Sequence, residues 1–498
     1  MESRRTVDIA WIEEHLSGLV ERAGRAVDIC GVTHDSRRCK PGYLFVAVPG
    51  FKTDGHYYVA DAERRGAVAA IVEAGREVPR TQLPLTRVLN TRRALAEASA
   101  AFYAWPSRRL KVVGVTGTNG KTTTANLIAS IARAAGLRAA TLGTLGLARE
   151  SETVATEHTT LEAPDLQGIL AELAEDGVEL VAMEVSSHGI ALDRVWQTYF
   201  DAAVLTNITH DHLDFHSDFE DYAQTKERLF THYADLARPF KEMVAAINLD
   251  DPAGRRIAAN ARCKVLGYGV EAADAEVRAE QIELGRRGVR FVLSTPGGRV
   301  GISAQLIGAF NVENCLAAAA CAIGMGFTEN VVKAGLEAAA PVSGRMERVE
   351  AGQDFLVIVD YAHTPDALAK ILKEARRLTE GRVICVFGCG GDRDPTKRPR
   401  MGQIATKIAD WTIITSDNPR SEDPLAIIDA IVSGVSTDSF EVVPDRREAI
   451  RRAVKMARPG DTVVIAGKGH ETYQILRDRT IHFDDREEAA RAIKELLG

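Results

Sequence analysis

A glycine-rich turn between a strand and a helix is the feature that most constrains this chain. Residues 114–124 read GVTGTNGKTTT and directly follow the run LKVV at 110–113. The hydrophobic pattern predicts a strand before the turn and an amphipathic helix from about Lys121 to Ala135, ended by Gly136. Glycines in such a turn let backbone N–H groups surround phosphate oxygens at the amino terminus of the helix. The sequence therefore predicts a nucleoside triphosphate site in an α/β sheet.

The residue types of this turn indicate separate roles in phosphate binding. Lys121 can reach the β- and γ-phosphates, and the Thr122 hydroxyl can hold Mg²⁺. The general motif has a glycine five residues before Gly120, where this chain has Val115, so the pattern is the narrower TGTxGKT. The predicted nucleotide contacts are Gly117, Thr118, Asn119, Gly120, Lys121, Thr122 and Thr123.

Length and composition limit the class of protein. A chain of 498 residues is long enough for about three domains, and 45% hydrophobic with 26% charged residues is ordinary for a globular protein. A net charge of -7 argues against nucleic acid or a membrane surface as the main partner. No window approaches 18 apolar residues, so we expect neither a signal peptide nor a membrane span. The seven scattered cysteines predict reduced thiols in a cytosolic protein.

The chain falls into three blocks, which predict three domains at 1–106, 107–341 and 342–498. The first carries short strands, the second alternates apolar strands with helices, and the third starts that alternation again. The pattern predicts a small amino-terminal α/β domain followed by two parallel α/β sheets in series. Residues 271–296 predict an antiparallel β insertion.

Polar side chains cluster just after the apolar strands of the second and third blocks. Open α/β sheets bind ligands at the carboxyl ends of their strands. The clusters therefore predict an active site assembled across two domains. They lie at residues 184–188, 206–214, 360–365, 415–420 and 466–471.

The cluster residues suggest a metal site with two alternatives. Thr122 and Glu184 carry the hard oxygen ligands that Mg²⁺ prefers. Zinc is an alternative, because histidines and carboxylates share one loop, and ordinary loop hydrogen bonding is another. The loop residues concerned are His210, Asp211, His212, Asp214 and His216.

Lys226 has two interpretations that the spacing alone leaves open. It lies in a predicted helix over residues 222–230. It is either a solvated lysine paired with Asp221 or Glu227, or a buried lysine. A buried neutral amine could add CO₂ and become a carbamate, which would supply a carboxylate for a second Mg²⁺.

The cationic side chains of the third block predict that the protein binds a charged substrate in addition to the nucleotide. Arg345 is either an interdomain salt-bridge residue or a nucleotide contact. Arg393 and Arg420 carry the guanidinium group that grips a carboxylate with two parallel hydrogen bonds.

These motifs together resemble those of the Mur ligases, over the whole length of the chain. The resemblance implies an α/β protein with a UDP-muramoyl-binding domain, a central P-loop ATPase domain and a carboxy-terminal Rossmann-like domain that binds an amino acid. It is carried by TGTNGKT at 116–122, EVSSH at 184–188, TN at 206–207 with HLD at 212–214, GAFNVEN at 308–314, GRME at 344–347 and DYAHTP at 360–365.

The resemblance also implies a reaction. ATP would phosphorylate the free carboxylate of UDP-N-acetylmuramoyl-L-alanyl-D-glutamate, and an amino acid would displace phosphate to form an amide. In this family the sequence DNPR, here at 417–420, marks a pocket for meso-2,6-diaminopimelate; L-lysine is the alternative amine. ATP and two Mg²⁺ ions are the implied cofactors. Such a ligase serves peptidoglycan synthesis, and hence cell wall biogenesis, cell shape and division within the cell cycle.

The resemblance assigns roles residue by residue. The implied catalytic residues are Lys121, Glu184, His212, Lys226 and Arg345. The implied metal ligands are Thr122, Glu184, His212 and carbamylated Lys226. Asn311 and Arg345 join the nucleotide contacts. The muramoyl-peptide contacts are Ser36, Thr159, Thr160, Ser186 and Arg194. The diaminopimelate contacts are Arg393, Asp417, Asn418, Pro419, Arg420, Gly467 and Glu471.

The chain departs from the family pattern at two positions and leaves other functions open. Leu192 replaces a glutamine and Leu161 a proline, which makes the muramoyl contacts less defined. The competing functions are a D-Ala-D-Ala-adding ligase, a folylpolyglutamate synthetase, and a P-loop kinase or regulatory NTPase. We expect a cytoplasmic monomer with no nucleic-acid partner and no membrane anchor.

Overall fold

The computed structural model describes residues 5–149, 152–209 and 215–498. The chain divides into two compact units. The first consists of Met1–Arg278, Leu293–Val300 and Glu313–Leu336. The second consists of Ala279–Val292, Gly301–Val312 and Glu337–Gly498. None of the described helices is long and apolar enough to cross a membrane.

The amino-terminal part of the first unit contains a five-stranded sheet in the order β2-β7-β6-β5-β4. Its strands are parallel except for β2, which pairs antiparallel with β7. The strands of this part are β1 (Val7–Asp8), β2 (Leu19–Glu21), β3 (Asp28–Ile29), β4 (Gly31–Thr33), β5 (Tyr43–Val46), β6 (Ala67–Glu73) and β7 (Leu85–Val88). The helices are α1 (Ile9–Glu13), α2 (Val59–Arg64) and α3 (Thr91–Phe102).

The central sheet places the glycine-rich turn in its middle. The strands are β8 (Lys111–Thr116), β9 (Ala139–Gly143), β10 (Gly146–Arg149), β11 (Glu152–Val154), β12 (Leu180–Glu184), β13 (Ala202–Leu205), β14 (Val244–Asn248), β15 (Lys264–Gly269), β16 (Val277–Gly285), β17 (Gly288–Thr295) and β18 (Gly298–Ala304). The helices are α4 (Lys121–Ala134), α5 (Ala163–Glu175), α6 (Ser187–Ala191), α7 (Phe219–Glu227), α8 (His232–Ala237), α9 (Pro252–Asn260), α10 (Ala309–Gly324) and α11 (Glu329–Ala338).

Strand β8 lies between β12 and β13 and is parallel to both. Its residues Val112–Thr116 are all buried, as expected for a strand of a parallel sheet that is covered on both faces. Because parallel strands end at one edge of a sheet, the polar segments after β8, β12 and β13 meet at that edge. The predicted helix after the turn is confirmed, since α4 is followed by Gly136 at φ +82°.

The predicted β insertion is confirmed but is longer than expected. Strands β16, β17 and β18 follow one another with two-residue connections, which join antiparallel neighbours. The segment ends at Ala304 rather than near Pro296, because the GG turn at 297–298 returns the chain into one more strand.

The second unit is built on a six-stranded sheet in the order β19-β20-β24-β21-β22-β23, parallel except between β19 and β20. The strands are β19 (Glu347–Arg348), β20 (Leu356–Asp360), β21 (Val383–Phe387), β22 (Trp411–Ile414), β23 (Phe440–Val442), β24 (Thr462–Ala466), β25 (Tyr473–Ile475) and β26 (Thr480–His482). The helices are α12 (Pro365–Leu378), α13 (Lys397–Ile408), α14 (Pro424–Val432), α15 (Arg446–Met456) and α16 (Asp485–Leu497).

Both faces of this sheet are covered, as the alternation of side chains along its strands shows. Ile358 and Phe387 belong to one hydrophobic cluster, whereas Val357, Val359 and Val386 belong to another. Neighbours along a strand point to opposite faces, so the two clusters lie on the two sides of the sheet. The predicted parallel α/β fold is therefore confirmed for this part of the chain.

A buried ion pair fixes the loops at the carboxyl edge of this sheet. Arg446 and Asp485, at the starts of α15 and α16, form two hydrogen bonds of 2.7 Å, and neither side chain is exposed. The same guanidinium donates to the carbonyl oxygens of Ala466 (3.0 Å) and Ser416 (3.3 Å). It thus ties together the loops after β24 and β22, where two of the polar clusters begin.

We predict that Asp485→Ala lowers the melting temperature by roughly 10 °C, because it leaves a buried guanidinium without its counter-charge, at a cost of about 3–5 kcal/mol. The control is Glu495→Ala, which removes an exposed ion pair between the same two helices, Arg451 with Glu495 at 3.1 Å. We expect the control to melt within ~2 °C of wild type. Equal effects of the two substitutions in a thermal melt would contradict the structural role of Arg446.

Candidate active site

The glycine-rich turn has the conformation that phosphate binding requires. Gly117 and Gly120 adopt φ +142° and +87°, which side chains rarely allow. A Cβ at Gly117 would lie 1.9 Å from Thr206 Oγ1, and one at Gly120 would lie 2.3 Å from Asn314 Oδ1. The N-cap residue of α4 is Gly120, which has no side chain to cap the helix, so the first N–H groups of α4 can serve an anion. Both glycines are therefore required by space as well as by conformation.

Polar residues of the neighbouring strands hold the turn in shape. The Asn119 N–H donates to Asn207 Oδ1 (3.0 Å), and Thr206 Oγ1 donates to the Asn119 carbonyl oxygen (2.6 Å). Lys121 Nζ donates to the carbonyl oxygens of Gly117 (3.0 Å) and Thr118 (2.8 Å). The lysine ammonium therefore lies over the turn itself.

A buried carboxylate faces the first turn of α4. Glu184, at the end of β12, is 2% exposed, and its Oε1 accepts from Thr122 Oγ1 at 2.9 Å. The same carboxylate accepts from the Thr144 N–H (2.8 Å) and hydroxyl (3.2 Å). A Cβ at Gly143 would lie 2.3 Å from Glu184 Oε1, so the glycine makes room for this carboxylate.

These donors fit a hard divalent cation beside the phosphate site. The Thr122 hydroxyl and the Glu184 carboxylate are the oxygen types that Mg²⁺ binds, and they already stand at hydrogen-bond distance. His212, the third predicted ligand, lies outside the described residues. His216, from the zinc alternative, has its Nδ1 3.2 Å from Asp221 Oδ2.

Lys226 is buried beside the glycine-rich turn, so the solvated alternative is wrong. Its side chain is 1% exposed, and its Nζ donates to the Gly117 carbonyl oxygen at 3.1 Å. The Nζ lies 4.5 Å from the centroid of the Tyr222 ring, and the Tyr222 hydroxyl is 3.0 Å from Thr118 Oγ1. Helix α7 therefore places the Lys226 amine beside the predicted phosphate site. The sequence position of Lys226 alone does not reveal this placement.

The predicted muramoyl-peptide residues of the central sheet form one hydrogen-bonded group. Thr160 Oγ1 is bonded to the Ser186 N–H (2.9 Å) and Oγ (3.0 Å), and Thr159 Oγ1 is 3.2 Å from Thr144 Oγ1. Arg194 donates to the Thr160 carbonyl oxygen at 3.0 Å. Hydrogen-bonded hydroxyls therefore connect the Glu184 carboxylate through Thr144 to Thr159.

Glu162 joins this group, although sequence reasoning did not identify it. Its carboxylate pairs with Arg194 at 2.8 Å and with Arg92 of α3 at 3.0 Å. Burial lowers the pKa of Arg194, and Glu162 opposes that shift. Thr144 was missed as well, although it follows the apolar strand β9 and obeys the same strand-end rule as the residues that were found.

Ser36 belongs to the amino-terminal part of the first unit. It begins a short 3₁₀ helix, Ser36–Arg38, and is buried. Asp35 caps this turn by accepting from the Arg37 N–H at 2.9 Å. Ser36 is hydrogen-bonded to Asp61, which lowers the pKa of that carboxyl.

In the second unit, the DNPR loop and the loop after β24 form one polar cluster. Asn418 is 2% exposed, and its Nδ2 donates to Glu471 Oε2 at 2.8 Å. Gly467 adopts φ +117°, and a Cβ there would lie 2.6 Å from Asp417 Oδ2. These predicted diaminopimelate residues are therefore brought together.

Arg420 is held by its backbone and forms no hydrogen-bonded ion pair with a carboxylate among the described residues. Hydrogen bonds from Ser421, together with the Arg420 charge, lower the pKa of Asp392. Arg420 adopts φ +53°, uncommon for a residue with a side chain, and its N–H donates to Ile475 O at 3.1 Å. Its guanidinium donates to the Gly391 carbonyl oxygen at 2.7 Å. Arg393 lies in the same loop as Gly391, and its side chain is exposed. It is therefore the least constrained of the predicted diaminopimelate contacts.

Arg345 lies in an aromatic and histidine cluster of the second unit. Its guanidinium carbon is 5.0 Å from the Tyr361 ring centroid. Burial, together with Arg345 and other cations, lowers the pKa of His470 to about 4, and burial raises the pKa of Asp360, which Arg345 opposes. Asn311 is buried and donates to the Ile307 carbonyl oxygen at 2.8 Å. Of the two predicted nucleotide contacts of this unit, Asn311 is therefore buried and Arg345 is half-buried.

Comparison with known proteins identifies the family of the chain. Three family models match: Mur ligase family, catalytic domain, at residues 28–103; Mur ligase middle domain at 115–322; and Mur ligase, glutamate ligase domain, at 344–469.

Curated relatives and solved structures match nearly the whole chain. Proteins from Geobacter metallireducens (44% identical, 95% of each chain) and Solibacter usitatus (47%, 94% of each chain) are both named UDP-N-acetylmuramoyl-L-alanyl-D-glutamate–2,6-diaminopimelate ligase. A solved structure with that name is 34% identical, with a TM-score of 0.69 over 94% of this chain and 96% of the other. The chain belongs to the Mur ligase family.

Proposed function

We propose that this Mur ligase joins meso-2,6-diaminopimelate to UDP-N-acetylmuramoyl-L-alanyl-D-glutamate at the expense of ATP, in peptidoglycan precursor synthesis. The observation that carries the proposal is that one chain holds a phosphate-binding turn in its first unit and, in its second unit, a polar pocket whose Arg420 forms no hydrogen-bonded ion pair with a carboxylate among the described residues. The relatives' names support the choice of substrates. L-Lysine, the second candidate, is not favoured, because those names specify diaminopimelate.

The glycine-rich turn serves the first step. Backbone N–H groups at the start of α4 and the Lys121 ammonium hold the ATP phosphates, and Asn311 contacts the adenine. A carboxylate oxygen of the D-glutamyl residue attacks the γ-phosphorus, the bond to the ADP oxygen breaks, and an acyl phosphate and ADP result. Lys121 and Arg345 stabilise the charge that develops on the transferred phosphoryl group.

Thr122, Glu184, His212 and carbamylated Lys226 are the residues that would hold Mg²⁺. When bound, the two ions neutralise phosphate charge and orient the phosphate oxygens. Thr144 keeps the Glu184 carboxylate in place by two hydrogen bonds, 2.8 Å and 3.2 Å long.

The second step needs an amine at the acyl phosphate. The amine nitrogen of diaminopimelate attacks the carbonyl carbon, a tetrahedral intermediate forms, and inorganic phosphate leaves as the amide closes. Thr159, Thr160, Ser186 and Arg194 orient the muramoyl-peptide, with Ser36 toward the uridine end. The free carboxylate of the amino acid pairs with Arg420 and Arg393 and bonds to Asn418, while Glu471 accepts from its ammonium.

The setting of the reaction follows from its substrates. We propose a cytoplasmic monomer that contributes to cell wall biogenesis, cell shape and division within the cell cycle. All seven cysteines are free, which accords with a reducing compartment.

Arg420→Ala should narrow the preference for diaminopimelate over L-lysine by about 30-fold or more. With lysine bound, the half-buried Arg420 gains no carboxylate partner from the substrate, which costs roughly 2–5 kcal/mol. The measurement is kcat/KM for each amine from ADP release with ATP and the UDP-muramoyl-dipeptide present. Arg400→Ala, an exposed arginine on α13, is the control that leaves the ratio unchanged. ADP release that needs no amine, or a wild-type preference for lysine, would contradict the proposed function.

Lys226 should carry a carboxylate added from CO₂. Its burial against the Gly117 carbonyl oxygen motivates this proposal. Enzyme equilibrated with ¹³C-bicarbonate should give a carbamate ¹³C signal that is lost in Lys226→Ala and kept in Lys111→Ala, an exposed lysine. Lys226→Ala should lose about 10²-fold or more in kcat, partly restored by small carboxylic acids. A wild-type spectrum without this signal would rule the carbamate out.

A further inference from the structure

Lys468 is a fully buried lysine to which the proposed reaction assigns no role. It lies between Gly467 and Gly469, directly after β24, and its side chain is 0% exposed. Its Nζ donates to Glu471 Oε2 (3.1 Å), to Asn418 Oδ1 (3.3 Å) and to the carbonyl oxygen of Tyr473. An ammonium has three hydrogens, so these acceptors match its full donor capacity.

The lysine decides which way the Asn418 amide faces. Asn418 Oδ1 accepts from Lys468 Nζ and from the Ile475 N–H (2.9 Å), while Nδ2 donates to Glu471 Oε2 (2.8 Å). Two donors at Oδ1 exclude the flipped amide, which would set its NH₂ group against them. The second Nδ2 hydrogen has no partner among the described residues. The second Nδ2 hydrogen of Asn418 can therefore donate to a ligand carboxylate in the pocket.

The lysine also fixes Glu471. Glu471 Oε2 receives hydrogen bonds from Lys468 and Asn418, whereas Oε1 accepts none within the described part of the chain. The Lys468 ammonium and the Glu471 carboxylate form an ion pair at 3.1 Å. One carboxylate oxygen is thus anchored and the other is left for a ligand ammonium.

We propose that Lys468 is a positioning residue for the amino-acid substrate. Through its three hydrogen bonds, it presents Asn418 as a donor and Glu471 as an acceptor, so that the pocket takes a carboxylate and an ammonium together. The proposal rests on the proposed function, since it assumes that this pocket binds the incoming amino acid.

The test is Lys468→Met, which keeps the length of the side chain and removes the ammonium. We expect the KM for diaminopimelate to rise ~30-fold, because Asn418 and Glu471 lose their anchor. The kcat and the KM for ATP and for the UDP-muramoyl-dipeptide should stay within about twofold of wild type. Lys370→Met, an exposed lysine on α12, is the control and should change none of these values.

A double-substitution cycle separates positioning from mere support of the fold. Because Lys468 acts partly through Glu471, the KM for the amine in the double variant with Glu471→Gln should rise by less than the product of the two single effects. Independent effects would multiply instead and would overturn the proposal. So would a Lys468→Met variant whose KM for the amine is unchanged, or one whose melting temperature and kcat fall while that KM does not.

Two further experiments cover the cases in which Lys468→Met does not fold or the amine substrate is a different amino acid. If Lys468→Met does not fold, it is replaced by Lys468→Gln, which removes the positive charge and one of the three donor hydrogens. The KM for diaminopimelate should again rise while kcat stays within about twofold of wild type, and an unchanged KM overturns the proposal. Wild-type ADP release tests the proposed function separately. If another amino acid triggers it, the cycle is run with that amino acid, because the proposed geometry suits any carboxylate and ammonium pair. If no amino acid triggers it, the pocket is not a substrate site and the inference fails with the function.

Discussion

The hydrogen bond between the Thr122 hydroxyl and the Glu184 carboxylate is the contact on which the first unit's chemistry depends. It joins the first turn of α4 to the end of β12, and it is possible only because Gly143 leaves space for the carboxylate. A buried carboxylate is costly unless its oxygens are bonded, and Thr144 supplies the remaining donors. Thr144 also bonds to Thr159, and Thr160 donates to the Glu184 carbonyl oxygen. The residues proposed for the nucleotide and for the acyl substrate are therefore joined by hydrogen bonds through Glu184.

In the second unit, the buried charged groups that need partners are cations. Arg446 sits under the loops after β22 and β24 with Asp485 as its counter-charge, and Lys468 lies between Asn418 and Glu471. Buried charges persist only when they are paired and hydrogen-bonded, so each of these cations fixes the carboxylates around it. Arg420 differs, because within the described residues it donates to a carbonyl oxygen and forms no hydrogen-bonded ion pair with a carboxylate. That difference is the reason we propose Arg420 as a contact for the substrate carboxylate.

Local sequence predicts much of the fold and part of the site. The glycine-rich turn, α4 and the strand-end clusters follow from hydrophobic periodicity and from the rule that parallel strands end at one edge. The burial of Lys226 did not follow, because helical spacing does not reveal what covers a helix face. Glu162 and Lys468 were missed for a related reason. Their roles come from contacts with residues up to 70 positions away, such as Arg92, and a single sequence does not display such contacts.

The central claim is that the phosphate-binding turn activates a substrate carboxylate by phosphorylation. The most direct measurement uses UDP-N-acetylmuramoyl-L-alanyl-D-glutamate with ¹⁸O in the D-glutamyl side-chain carboxylate. After complete turnover with ATP and diaminopimelate, mass spectrometry of the inorganic phosphate gives its ¹⁸O content. The account predicts one ¹⁸O atom in each phosphate molecule released, because the carboxylate oxygen that attacks ATP leaves with phosphate. Phosphate without ¹⁸O would contradict it.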